Sequence, residues 1–196
     1  MNIISSENLY PKMKLYFSAF LLFFCFGLSA QIQDSISCEW EMNLSDEFSG
    51  RKKLQLKPRK FFTYSPKGSE SYFIGKDYLE CWAGMSKMDN KYLLSLNIII
   101  EDLEISTQMG AMSPNSSLEL TSIQGKSIYL KTFTGAEPVL KDNKTLYKCS
   151  FFVPKSSLKR LKKFEIAEVK INWSKAYQVY TVYYLDFLSD QIKCFE

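Results

Sequence analysis

The chain has 196 residues, 25 Lys+Arg against 21 Asp+Glu, no histidine and five cysteines. The absence of histidine excludes Ser-His-Asp and Cys-His catalysis, every His-ligated metal site, and the side chain most used for proton transfer near neutral pH. A formal charge of +4 is too mild for a dedicated nucleic-acid binder, so no nucleic-acid partner is expected.

The first thirty residues read as a signal peptide. Lys12 and Lys14 form a short basic region, and Leu15–Leu28 follows without a charge. Small residues at Leu28-Ser29-Ala30-Gln31 then mark a cleavage site. The apolar run falls short of the roughly 20 residues a helix needs to cross a bilayer. Met13 is a second plausible start, since residues 1–12 add nothing a signal needs. The residues before Cys25 are too bulky for lipid attachment. The expectation is an exported protein, periplasmic or at the cell surface, with residues 31–196 as one β-rich domain and no transmembrane span after cleavage. Removing Lys12, Lys14 and Glu7 leaves a net charge of +3.

Along the mature chain, alternation of apolar and polar residues is the main signal. Residues 37–44 and 51–57 are read as strands around a turn at Asp46–Gly50, and 65–69 as a loop. Leu79, Cys81, Ala83 and Met85 share one face of a strand. A turn at Lys87–Asn90 leads to a second strand with Tyr92, Leu94, Leu96, Ile98 and Ile100 on one face. Segments 106–116 and 134–144 read as loops. Between them lies a hairpin from Ser117 to Phe133, with Leu118 and Leu120 inward and a turn at Gln124-Gly125. A strand at 145–153 carries Tyr147, Cys149, Phe151 and Val153. Ser156 or Ser157 is placed to cap a short helix, Leu158 to Lys163. Ala167, Val169, Ile171 and Trp173 alternate, residues 176–184 form a strand, and Phe187, Leu188, Gln191, Ile192 and Phe195 recur at helical spacing. The predicted fold class is α+β, mostly antiparallel sheet with two short helices near the C-terminus; an all-β sandwich is the alternative.

Cys38, Cys81, Cys149 and Cys194 are the disulfide candidates, an even count for an oxidising compartment. The pairing with short, non-interleaving loops of about 40 residues is Cys38–Cys81 with Cys149–Cys194. No C-x-x-C or calcium-loop spacing is present, so no metal or cofactor is expected.

Several residues invite a functional reading. Arg51, Lys52, Lys53, Lys57, Arg59 and Lys60 form a basic stretch suited to an anionic surface, and Lys155, Lys159, Arg160, Lys162 and Lys163 surround the short helix. Glu101, Asp102 and Glu104 cluster after a strand, as a carboxylate pair for glycoside cleavage would. Ser156-Ser157-Leu158-Lys159 matches S-x-x-K, but Lys131-Thr132 is followed by Phe133 where the companion motif needs glycine. Trp40, Trp82 and Trp173 stack on sugars or pack in a core; their strand-like surroundings favour the core.

The segment Asp46-Glu47-Phe48-Ser49-Gly50-Arg51-Lys52-Lys53 resembles a motif of small exported proteins of Bacteroidota. So do Asp190-Gln191-Ile192-Lys193-Cys194-Phe195 and the hydrophobic pattern Ile166 to Ile171. That resemblance implies export and a single domain, and no activity. Together these observations predict a non-catalytic exported binding protein whose partner is a protein or an envelope glycan. The alternatives are a carboxylate-dependent hydrolase of envelope polysaccharide and an inhibitor or immunity-type protein.

Overall fold

The computed structural model describes residues 38–45, 52–68 and 76–196. Residues 1–37, 46–51 and 69–75 lie outside the described residues, and with them the expected signal peptide and the expected turn at Asp46–Gly50. Among the described residues eleven strands form one antiparallel sheet: β1 (Trp40–Ser45), β2 (Lys52–Leu56), β3 (Arg59–Tyr64), β4 (Leu79–Met88), β5 (Lys91–Ile100), β6 (Ser117–Ser122), β7 (Ser127–Thr134), β8 (Val139–Lys141), β9 (Lys144–Val153), β10 (Ile166–Asn172) and β11 (Tyr177–Thr181). Among the described residues three short helices accompany them: α1 (Ile105–Met109), α2 (Lys155–Leu161) and α3 (Phe187–Lys193). The main path is β1-β2-β4-β5-β9-β7-β6-β10-β11, with β3 also on β4 and β8 also on β9.

The sheet curls until β11 lies against β3. There the ring of Tyr180 stacks on Phe62 at 4.7 Å and meets Tyr64 edge-on. The enclosed face carries the alternating residues read from the sequence: Leu79, Cys81, Ala83 and Met85 from β4, Leu94 to Ile100 from β5, and Tyr147 to Val153 from β9, all buried. Alternation puts every second side chain on one face, and burial of that face drives the roll closed. Helix α3 belongs to this core. Phe187, Leu188 and Ile192 are buried, and Phe187 stacks on Phe61 at 4.5 Å.

One joint controls the shape. The chain bends at Lys57-Pro58 between β2 and β3, and both strands pair with the same edge of β4. Proline has no N–H to give, so the β4 edge opposite the bend lacks a backbone partner. Gln191 of α3 fills the gap: its Oε1 accepts from the Met85 N–H at 2.7 Å, and its Nε2 donates to the Ala83 carbonyl at 3.5 Å. Gly84 lets the bend approach, since a Cβ there would stand 3.0 Å from the Leu56 carbonyl oxygen and 3.4 Å from Pro58 Cα.

Several expectations are corrected. The disulfide joins Cys38 to Cys194, with Cα atoms 5.7 Å apart, and Cys81 and Cys149 are free and buried. Cys81 pairs with Ile98 and Cys149 with Leu96, so β5 separates them. Two strand spacings, about 10 Å, exceed the reach of a disulfide. Short loops reduce closure entropy, but the fold decides which cysteines meet. Segment 106–116, expected as a loop, begins within the helical turn α1, and 134–144, also expected as a loop, contains β8. Asp142 and Asn143 both adopt positive φ, 52° and 60°, the backbone of a tight two-residue hairpin. Helix α2 starts at Lys155 with Pro154 in the cap position and no side-chain cap, so neither Ser156 nor Ser157 caps it. Strand β3, with Phe61 and Phe62 both buried across a bulge, was missed by the sequence reading.

Candidate functional site

The outer face of β4, β5 and β9 holds a trough. Cross-strand register arranges its floor in three rows. The central row runs Lys60, Trp82, Asn97, Lys148. On one side lie Gly84, Ser95, Ser150 and Thr134, whose small side chains leave the surface low. On the other lie Glu80, Ile99, Leu146 and Val139. The β2–β3 bend walls one margin with Leu56 and Pro58, and Glu41 and Gln55 extend it.

Two hollows share this trough. One, of about 360 Å³, is lined by Pro58, Trp82, Asn97, Ile99, Leu146 and Lys148 and is almost entirely apolar. The other, of about 380 Å³, adds Glu41, Gln55, Ser95, Thr134 and Ser150 and is mixed in polarity. Pro58, Asn97 and Lys148 line both. Each volume lies in the range of small-ligand sites, and an apolar wall with a few convergent polar groups is their usual make-up.

Trp82 is held in place. Its indole N–H donates to Glu80 at 3.1 Å, and Lys60, itself 3.0 Å from Glu80, lies 5.7 Å from the ring centroid. Burial opposes ionisation of Glu80, but the hydrogen bonds from Lys60 and Trp82 outweigh it, so its pKa lies below the usual carboxylate value. An ionised Glu80 therefore fixes the ring and leaves Trp82 nothing to offer a ligand but its face. By contrast, the side chains of Ser95, Asn97, Lys148 and Ser150 make no hydrogen bond or ion pair to any described residue.

The outer face of β7, β6, β10 and β11 behaves differently. Tyr129 donates to Glu119 at 2.8 Å, Lys170 sits 3.8 Å from Glu119 and 4.5 Å from the Tyr177 ring centroid, and Asn172 donates to Ser117. Those polar groups satisfy one another, whereas Ser95, Asn97, Lys148 and Ser150 of the trough have no such partners among the described residues.

The basic stretch is dispersed by strand geometry. Lys57 pairs with Glu39 at 3.1 Å, Lys60 with Glu80 and Asp77, and Arg59 lies 6.0 Å from the Tyr184 ring centroid. Lys52 and Lys53 are exposed and unpaired among the described residues; Arg51 lies outside them. Lys52 borders a separate hollow beside the disulfide, with Trp40, Lys87, Asp89, Cys194 and Phe195.

The acidic cluster is engaged structurally. Glu101 forms an ion pair with Lys144. Asp102 accepts from the Tyr78 hydroxyl at 2.9 Å and from the Glu104 N–H at 2.8 Å, while Glu104 is exposed. None of the three lines the hollows described above. Of the tryptophans, Trp173 is buried, Trp40 is at the surface against Phe195, and Trp82 faces the trough rather than the core. No metal-binding cluster occurs among the described residues, and no helix among them is long and apolar enough to cross a membrane. No protein-family model, curated protein or solved structure matches this chain.

Proposed function

We propose that this is an exported, non-catalytic binding protein whose contact surface is the trough over β4, β5 and β9, and that its partner is a glycan. The observation that carries the reading is the pairing of a fixed aromatic face, Trp82, with the uncommitted polar side chains of Asn97, Ser95, Ser150 and Lys148. The backbone of the floor is already consumed by the β4–β5 and β5–β9 ladders. A peptide seeking to add a strand needs a free sheet edge, and this floor has none to give. Recognition here must run through side chains, which suits the hydroxyls and planar apolar faces of a sugar. The Cys38–Cys194 bond fits an oxidising compartment. The buried stripe of α3 makes a helix part of the core, which favours α+β over an all-β sandwich.

The hydrolase reading draws less support: of its three named residues, Glu101 is in an ion pair with Lys144, Asp102 accepts from Tyr78 and from the Glu104 N–H, and Glu104 is exposed away from both hollows of the trough. The basic-stretch version loses Lys57 and Lys60 to acidic neighbours.

A glycan array read with the disulfide-bonded protein and with Asn97→Trp tests the proposal. Asn97 is half-buried, outward-facing and without a partner, so an indole there fills the trough without disturbing the core. Binding should appear in the parent, vanish in Asn97→Trp and persist in Lys52→Gln/Lys53→Gln. Binding that survives Asn97→Trp unchanged contradicts the proposal.

A further inference from the structure

Charge within the trough narrows the ligand. Of the two lysines in the central row, Lys60 is compensated by Glu80 at 3.0 Å and Asp77 at 4.0 Å. Lys148, at the other end, is exposed, borders both hollows and has no counter-ion among the described residues. The acid on the opposite wall, Glu41, accepts from Gln55 at 2.6 Å. Gln55 is neutral, so Glu41 keeps its charge, but no ion pair joins it to Lys148; the trough presents an ammonium without an ion-pair partner beside a free amide, Asn97, and two hydroxyls. Lys148 also borders the apolar platform of Trp82, Ile99, Leu146 and Pro58.

We infer that the trough takes a carboxylated oligosaccharide, with a sugar ring stacked on Trp82 and a carboxylate of the chain on Lys148. The inference rests on the glycan-binding reading above. Trp82 and Lys148 flank Asn97 on neighbouring strands, so their backbones stand about 10 Å apart. A disaccharide covers that span. An ammonium is a compact point charge that meets a carboxylate from several directions, which tolerates the varied presentation of sugar acids along a polymer. An aromatic face aligned by Glu80 adds stacking with little loss of side-chain freedom on binding.

Calorimetric titration separates the outcomes. The probes are oligomers of polygalacturonate, alginate and hyaluronate, their carboxyl-reduced counterparts, free galacturonate, and poly-glutamate. At least one acidic oligomer should bind, and its reduced counterpart should bind about 10- to 100-fold more weakly, the range for losing one hydrogen bond to a charged group. Lys148→Gln should weaken the acidic oligomer by the same factor and leave the reduced one unchanged. Trp82→Ala should weaken both, with Trp82→Phe restoring part of the loss. Free galacturonate should bind more weakly than the oligomer; equal affinity would show that a single sugar acid suffices and would overturn the oligomer assignment. If the reduced polymers bind as well as the acids and Asn97→Trp still abolishes binding, the carboxylate inference is wrong and the trough reading survives. If poly-glutamate binds as tightly as the sugars, or the acids bind Asn97→Trp undiminished, simple surface charge is responsible and both fall. Binding of none of the acidic oligomers also overturns the inference.

Discussion

Removing the Cys38–Cys194 bond by Cys38→Ser with Cys194→Ser is the perturbation whose cost the structure fixes most directly. The two cysteines are 156 positions apart, so the bond closes a loop around nearly the whole described chain. In the chain-entropy model a loop of that size restricts the unfolded state by about 5 kcal/mol. The folded state supplies little to offset the loss. Strand β1 is exposed along all but Met42, pairs among the described residues with β2 alone, and meets the chain just after α3 through the Trp40–Phe195 contact at 5.4 Å, with the disulfide beside it. With a urea slope of about 2 kcal/mol per molar, typical for a small protein, the midpoint should fall by about 2.5 M. Urea denaturation followed by tryptophan fluorescence reads this directly. Hydrogen exchange should also show β1 losing protection before β4 and β5, which stay protected. A midpoint that moves by less than about 0.3 M would refute the reasoning, because it would mean that the unfolded chain is not held by this cross-link.

Other consequences follow from the joint and the core. Gly84→Val should lower stability by about 1–3 kcal/mol, since its side chain meets the Leu56 carbonyl and Pro58; thermal melting measures it, and an unchanged melting temperature would mean the bend has room. Gln191→Leu keeps the buried volume but leaves the Met85 N–H without a partner, costing about 1–3 kcal/mol by the same assay. Burial pushes the Cys149 thiol up to about 12 and the Cys81 thiol well above its usual value. Both should resist maleimide at pH 8 until denaturant is added, because the thiolate is the reactive form. The sign for stability is fixed by the same shift. A thiol whose folded pKa is raised contributes fully below its unfolded value, about 8.5, and that contribution is lost as pH climbs toward 12. Stability should therefore fall across that alkaline window, with less of a fall in Cys149→Ala.

Much of the sheet was legible because local alternation and short turns determine it. The β4–β5 pair follows from one face of apolar residues and a turn of two residues, Asp89-Asn90. The outward position of Trp82 was available from the same rule: if Leu79, Cys81, Ala83 and Met85 face in, residue 82 faces out. The general habit of packing aromatic residues in cores pointed the other way, and parity was the better guide. The trough itself was not legible. Its rows depend on β5 pairing with β9, a register set by contacts some fifty residues apart in sequence. The disulfide was missed for a related reason, since the association of β1 with α3 is a tertiary fact with no local signal. Gln191 was read as part of an apolar helical stripe. Its burial was correct, but its amide serves a gap made by Pro58, 133 positions earlier.

Amide chemical-shift mapping with an acidic oligosaccharide tests the central claim most directly. The account predicts shifts concentrated at Trp82, Ser95, Asn97, Lys148 and Ser150, including the Trp82 indole N–H, with Tyr129, Lys170 and Tyr177 unmoved. Shifts confined to Lys52 and Lys53, or to the Tyr129–Tyr177 face, would contradict it.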